Sequence, residues 1–281
     1  MSNILAMAAA AAAIAPNMNE AQKGGGGGDY TPPAEGIARA RLVGYIETGI
    51  HEKNIGAGKP PVQKPQVKLI FELSGPNHQP KVLEDGTKLP HRITVDESYS
   101  LNEKANFYKL FRRMNWKGTA THMSQLLGEA FLVTIKHKVT GEGDKKRTYA
   151  NIRDDAGYTV QPPRYVDPLS NQTVEVPVDP PISALRLFVW NAPTELLKPM
   201  WDSLFIDGEY PARTDDKGNV TAPARTKNVL QAEIKAALNF KDSPIFQLLQ
   251  TGGVELNLGA NVGNANPPVA PAASDDPLAA F

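Results

Sequence analysis

Between Gly36 and Ala156 hydrophobic and polar positions alternate with period two in five places, which predicts five strands. Across Arg39 to Glu47, Ala40, Leu42, Gly44 and Ile46 share one face, and Arg39, Arg41, Val43 and Tyr45 share the other. Val67, Leu69, Phe71 and Leu73 form the inward set of a second strand, with Gln66, Lys68 and Ile70 outside. Arg92 to Val95 supplies a third. Phe131, Val133, Ile135 and Val139 point inward on a fourth, with Thr134, Lys136 and Lys138 outward. On the fifth, Ala150 and Ile152 are inward while Arg147, Tyr149, Asn151 and Arg153 are outward. Gly141 and Gly143 furnish the turn that makes the last two a hairpin.

A helix is expected between the third and fourth strands. Ser100 and Glu103 have capping-box spacing, and Phe107, Leu110, Phe111 and Met114 follow at helical spacing. Thr121 to Leu127 reads as a second short helix, stopped by Gly128. Five strands with a helix between the third and fourth is the order of an oligonucleotide-binding (OB) barrel. A five-stranded antiparallel sandwich with a helical insertion fits the same pattern, and periodicity leaves both open. The expected class is mainly β with α elaborations.

The chain divides into four stretches. Residues 1–35 are an Ala/Gly-rich arm, expected to be disordered. Its apolar run from Ile4 to Ala15 has no preceding Lys or Arg, as a signal peptide requires, and is too short to span a bilayer. Residues 36–160 are the barrel. Residues 161–250 begin as a proline-rich connector to 182 and continue as an extension of strand Ser183 to Trp190 and three helices. The first helix runs from Thr194 to Phe205, the second follows a Thr226 cap, and the third opens at Ser243-Pro244. Residues 251–281 are a linker poor in large side chains, closing on Asp275, Asp276, Leu278 and Phe281. Flexible spacer, then acids, then an aromatic is the order of a peptide ligand for a partner with an apolar pocket and a basic rim.

Zero net charge conceals an uneven distribution. Residues 36–160 hold 20 bases and 13 acids, and residues 161–281 hold 9 and 14. The basic body points to a polyanionic partner. The acidic third points to self-association or partner docking. There is no cysteine, so disulfides, thiolate metal sites and thiol nucleophiles are excluded. Gly56-Ala57-Gly58-Lys59-Pro60 lacks the leading glycine and the Ser/Thr of a phosphate loop. The five histidines show no metal-ligand spacing. Asp154-Asp155 and Asp215-Asp216 border glycine turns. No catalytic residue, metal or cofactor is expected.

The outward strand positions carry the candidate chemistry. Arg39, Arg41, Tyr45, Lys68, Lys136, Lys138, Arg147, Tyr149 and Arg153 set cations among phenols, and Lys53 and Lys59 belong to the loop after the first strand. Cations track phosphates and rings stack on bases that no partner strand covers, which is what single-stranded nucleic acid requires. Trp116 is expected to cap the core.

The runs Ala40-Arg41-Leu42-Val43-Gly44, Lys68-Leu69-Ile70-Phe71-Glu72-Leu73, Leu101-Asn102-Glu103-Lys104-Ala105-Asn106 and Arg147-Thr148-Tyr149-Ala150-Asn151-Ile152 resemble bacteriophage single-stranded DNA-binding proteins of the OB-fold type. Trp201-Asp202-Ser203-Leu204-Phe205-Ile206-Asp207-Gly208 is similar to their C-terminal region. The resemblance implies a non-enzymatic protein that coats single-stranded DNA in the host cytoplasm during replication, recombination or repair. It also implies homo-oligomers and a tail that recruits polymerase, helicase or nuclease. Two other readings share the residues: a phage assembly protein using the barrel to bind proteins, and a strand-annealing recombination protein.

Overall fold

A computed structural model describes residues 31–56, 58–142, 146–215 and 218–251. The protein is mainly β, organised on one large sheet. Its strands are β1 (Gly36–Lys53), β2 (Val62–Ser74), β3 (Arg92–Ser98), β4 (Ala130–Thr140) and β5 (Arg147–Asn151), in spatial order β3-β2-β1-β4-β5, all antiparallel. A sixth strand, β6 (Arg186–Phe188), adds in parallel to β1 beside Gly44 to Ile46. The five strands expected from alternation therefore form. Val139 departs from its expected inward place and is 49% exposed, because β4 has by then run past the core.

β1 holds the fold together and carries its least legible feature. Residues 36–41 pair with β4, while residues 39–53 pair with β2 through two register shifts, at Leu42/Gly44 and Glu47/Gly49. A bulge places two residues opposite one and reverses which face the later residues meet. Ala38, Ala40 and Leu42 face the main core, and after the first shift Tyr45 does so too. Ile46 turns to the opposite side of the sheet. Strict alternation through Gly44 gave the reverse assignment for these two side chains.

The main core joins Leu69, Phe71, Phe131 and Ile135 from the sheet to Phe107, Leu110 and Met114 of helix α1 (Asn106–Met114). Ser100 and Glu103 do not cap α1. Ala105 stands at its N-cap without a side-chain bond, and a capping box forms instead at His122 and Gln125, ahead of a 3-10 turn (Met123–Leu126).

A second core lies on the outer face of β1 and β2. Helices α2 (Thr194–Ser203), α3 (Val229–Lys235) and α4 (Pro244–Thr251) bring Leu197, Trp201, Leu230, Ile234 and Ile245 onto Ile46, with Ile70 alongside. Gly49 permits this approach. Its φ is +92°, and a Cβ there would lie 2.5 Å from the Trp190 ring and 2.6 Å from the Ala237 Cβ. Ser243 and Pro244 open α4 as expected, with Ser243 Oγ accepting from the Phe246 N–H. Asn228, not Thr226, occupies the N-cap of α3. The unexpected pieces include small ribbons pairing Lys81–Val82 with Lys88–Leu89 and Arg153–Asp154 with Gly157–Tyr158, a ribbon pairing Arg164–Val166 with Thr173–Glu175, and a hairpin arm between Glu209 and Thr226. No helix of the described residues is long and apolar enough to cross a membrane.

Candidate nucleic-acid interface

Alternation in β4 and β5 decides what their hairpin shows to solvent. In the ladder Lys136 faces Asn151, Lys138 faces Tyr149 and Thr140 faces Arg147, so these six side chains share one surface. Lys136, Lys138 and Arg147 are exposed, and the Tyr149 ring is 47% exposed. Among the described residues none of the three cations has an ion pair or hydrogen bond. Arg112 and Arg113 are exposed on the last turn of α1, and Arg113 shares a 290 Å³ depression with Lys136, Thr134 and Gln161. The hairpin face is thus a patch of free cations around one open aromatic ring.

Beside it a cleft of about 740 Å³ separates β3 from the hairpin, with Thr94, Asp96, Lys136, Lys138 and Asn151 on its walls. Among the described residues no backbone ladder joins β3 to β5. A side-chain latch instead joins β3 to the short hairpin that follows β5, in which Arg153–Asp154 pair with Gly157–Tyr158. Glu97, 8% exposed, accepts from the Tyr158 hydroxyl at 2.6 Å and from Arg153 Nη1 at 3.2 Å. With the Asn106 amide turned so that its oxygen faces the guanidinium, that oxygen accepts from Arg153 Nη1 at 2.9 Å and Nη2 at 3.1 Å. Burial and the Glu97 carboxylate raise the Tyr158 phenol well above its ordinary range, so it stays a neutral donor. Arg153 lies at the patch as expected, but its charge is already engaged.

The face of β1 and β2 is a different surface. Arg41 is committed to backbone carbonyls: Nε donates to Asp179 at 2.6 Å, Nη2 to Val178 at 2.6 Å and Nη1 to Gly128 at 2.8 Å. Glu72, directly across from Arg41 and 5% exposed, accepts the N–H groups of Ile182 and Ser183 at 2.6 and 2.7 Å. Lys68, its side chain 14% exposed, is paired with Asp96 and with Glu233 of α3, the latter at 3.3 Å. These two expected phosphate contacts instead fasten the C-terminal extension to the sheet.

Tyr45 is corrected outright. The bulge buries it completely, its hydroxyl donates to Glu47 Oε1 at 2.8 Å, and the edge-on His122 ring sits 5.4 Å away. Burial is the first cause that raises its phenol far above the ordinary range. It can stack on nothing outside the protein. The other Glu47 oxygen accepts the Trp190 N–H at 2.7 Å, so this carboxylate also ties sheet to extension.

The remaining candidates are dispersed. Lys53 is half-buried and donates to Ser98 Oγ at 3.3 Å, whereas Lys59 is exposed in the loop after β1. Arg39 lies in an apolar depression with Ile37, Leu132 and Tyr165. Trp116 packs half-buried against the main core, with the Arg164 guanidinium 4.6 Å and the Lys117 ammonium 5.4 Å from its ring centre. Asp275, Asp276, Leu278 and Phe281 lie outside the described residues, as does the arm before Thr31. Among the described residues no cluster of His, Asp and Glu has the arrangement of a metal site.

Compared with protein-family models, curated proteins and solved structures, the chain finds no match.

Proposed function

We propose that the chain is a single-stranded DNA-binding protein whose contact surface is the β4–β5 hairpin, extended by Arg113. The carrying observation is the direct pairing of Lys138 with Tyr149, flanked on the same face by the unpaired Lys136 and Arg147. A cation beside an open ring is the unit that holds a phosphate while its base stacks. Stacking is worth roughly 1–3 kcal/mol per base and tolerates any base, so sequence preference is slight.

The scaffold reading is an OB-like barrel. The order β3-β2-β1-β4-β5, the helix between β3 and β4, and the latch between β3 and the hairpin that follows β5 support it. The resemblance to phage proteins adds the biological setting: DNA replication, recombination or repair in the host cytoplasm, with the acidic tail recruiting polymerase, helicase or nuclease. Binding alone performs this role, without a catalytic group or cofactor.

Salt-titrated fluorescence anisotropy of the full chain tests the reading, using short single-stranded DNA, the matching duplex and RNA. Four free cations give a slope near −3 on logarithmic axes, at ~0.7 per phosphate on a single strand. Single-stranded DNA is expected to bind more tightly than duplex. Equal affinity for both, or no salt dependence, overturns the proposal.

A further inference from the structure

The hairpin arm of the C-terminal extension is built from a duplicated tetrapeptide. Pro211-Ala212-Arg213-Thr214 recurs on the returning strand as Pro223-Ala224-Arg225-Thr226. Glu209–Tyr210 pair with Arg225–Thr226, and Arg213–Thr214 pair with Val220–Ala222. Between these two short ladders stand Pro211 and Pro223, which have no N–H to give. The hydrogen bonds of residues 209–214 and 218–226 stay within the arm or reach its root at Asn228, and Lys227 N–H closes that root on the Gly208 carbonyl at 2.9 Å. Among the described residues of the arm only Ala222 is less than exposed. The arm therefore stands off the body, and a two-stranded ribbon with no sheet behind it is marginal alone.

Its chemistry selects the partner. A second copy adding by strand pairing would use the ribbon's edges, and a proline on each strand interrupts both. The side chains offer something else. The Arg225 guanidinium lies 5.1 Å and the Lys227 ammonium 5.7 Å from the centre of the Tyr210 ring, which is 45% exposed. Arg213 is exposed two residues beyond the proline. Among the described residues none of these three cations has a carboxylate partner. The arm thus repeats the unit found on the β4–β5 hairpin, unneutralised cations around an open phenol, in the acidic third of the chain, whose charge points to self-association or partner docking.

We infer that this arm is a second contact for single-stranded nucleic acid. Arg213, Arg225 and Lys227 take phosphates, and Tyr210 with the Arg225 plane takes a base. The inference rests on the function proposed above and adds to it a longer footprint: strands long enough to reach both surfaces gain affinity from the arm, and short ones do not.

The test uses the full chain with three triple variants: Arg213→Ala/Arg225→Ala/Lys227→Ala in the arm, Lys136→Ala/Lys138→Ala/Arg147→Ala in the hairpin, and Lys81→Ala/Lys88→Ala/Lys104→Ala as an equal loss of charge elsewhere. Affinity for oligothymidylates of about 10 and about 40 nucleotides is measured against salt; single OB folds cover ~4–16 nucleotides. Unchanged thermal unfolding of the arm variant confirms its fold. The inference expects the arm variant to lose affinity for the long strand, with a salt slope shallower by about 2 for three lost phosphates. Its binding of the short strand is expected to stay wild type. An arm variant equal to wild type on both lengths overturns the inference while leaving the hairpin proposal standing. The same slope change in the charge-control variant also overturns it. Wild-type affinity in the hairpin variant, with loss in the arm variant, removes the hairpin surface and keeps the arm.

Discussion

Two regions on the outward side of the sheet carry similar side chains and have opposite fates. Lys68 and Arg41 on the β1–β2 face look, as residues, like Lys136 and Arg147 on the β4–β5 hairpin. Lys68 is held by Asp96 and by Glu233 of α3, beside the helices that bury Ile46, and Arg41 by three backbone carbonyls of Gly128, Val178 and Asp179. Lys136 and Arg147 meet only solvent among the described residues. What separates them is the presence of acceptors within reach. A cation supplied with carbonyls and carboxylates by its own chain becomes a fastener, and one left without them remains available to a phosphate. The comparison also shows why outward strand position is a poor measure of availability: β2 is outward-facing only until α2, α3 and α4 are placed on it.

Substitutions can break this contrast, and the largest effect belongs to the covered side. Tyr45→Ala leaves a cavity in a fully buried site, and unfolding stability is expected to fall by about 3–5 kcal/mol. Tyr45→Phe removes only the bond to Glu47, for about 1 kcal/mol. Chemical denaturation of both measures the difference. If Tyr45→Ala kept full stability and lost only DNA binding, the ring would be a contact after all.

Gly49→Ala comes next. A Cβ at that φ drives into Trp190 and Ala237, and overpacking with backbone strain is expected to cost about 2–4 kcal/mol and to loosen the second core. Tryptophan fluorescence during denaturation should show this as an earlier or separate transition.

Tyr149→Ala sits on the open side. Stability should change by less than about 0.5 kcal/mol, while single-strand binding weakens by roughly 1–3 kcal/mol as one stack is lost. Lys68→Ala is the smallest, since a largely covered pair with one exposed partner is worth about 1 kcal/mol at most, and it should leave DNA affinity unchanged.

Much of this was legible in the sequence. Period-two alternation located the strands of the main sheet, because each needs one apolar face. Helical spacing located α1, and Ser243-Pro244 marked α4. The hairpin cations Lys136, Lys138 and Arg147 were legible for the same reason, as strict alternation holds there without a bulge. Tyr45 was misplaced because alternation was carried through Leu42 to Gly44, although a glycine inside a strand is itself a bulge signal. Arg41 and Lys68 were misread because their partners, at Gly128, Val178, Asp179 and Glu233, are distant in the chain and no local pattern announces them. The arm was passed over because its prolines and short ladders have no periodicity, yet its repeated Pro-Ala-Arg-Thr was visible.

The contrast between the two regions reduces to one measurement, the salt dependence of binding to a short single-stranded oligonucleotide. The Lys136→Ala/Lys138→Ala/Arg147→Ala protein is compared with Lys68→Ala. The account predicts a slope shallower by about 2 in the first and the wild-type slope in the second. A wild-type slope in the hairpin variant, or a shallower one in Lys68→Ala, contradicts it.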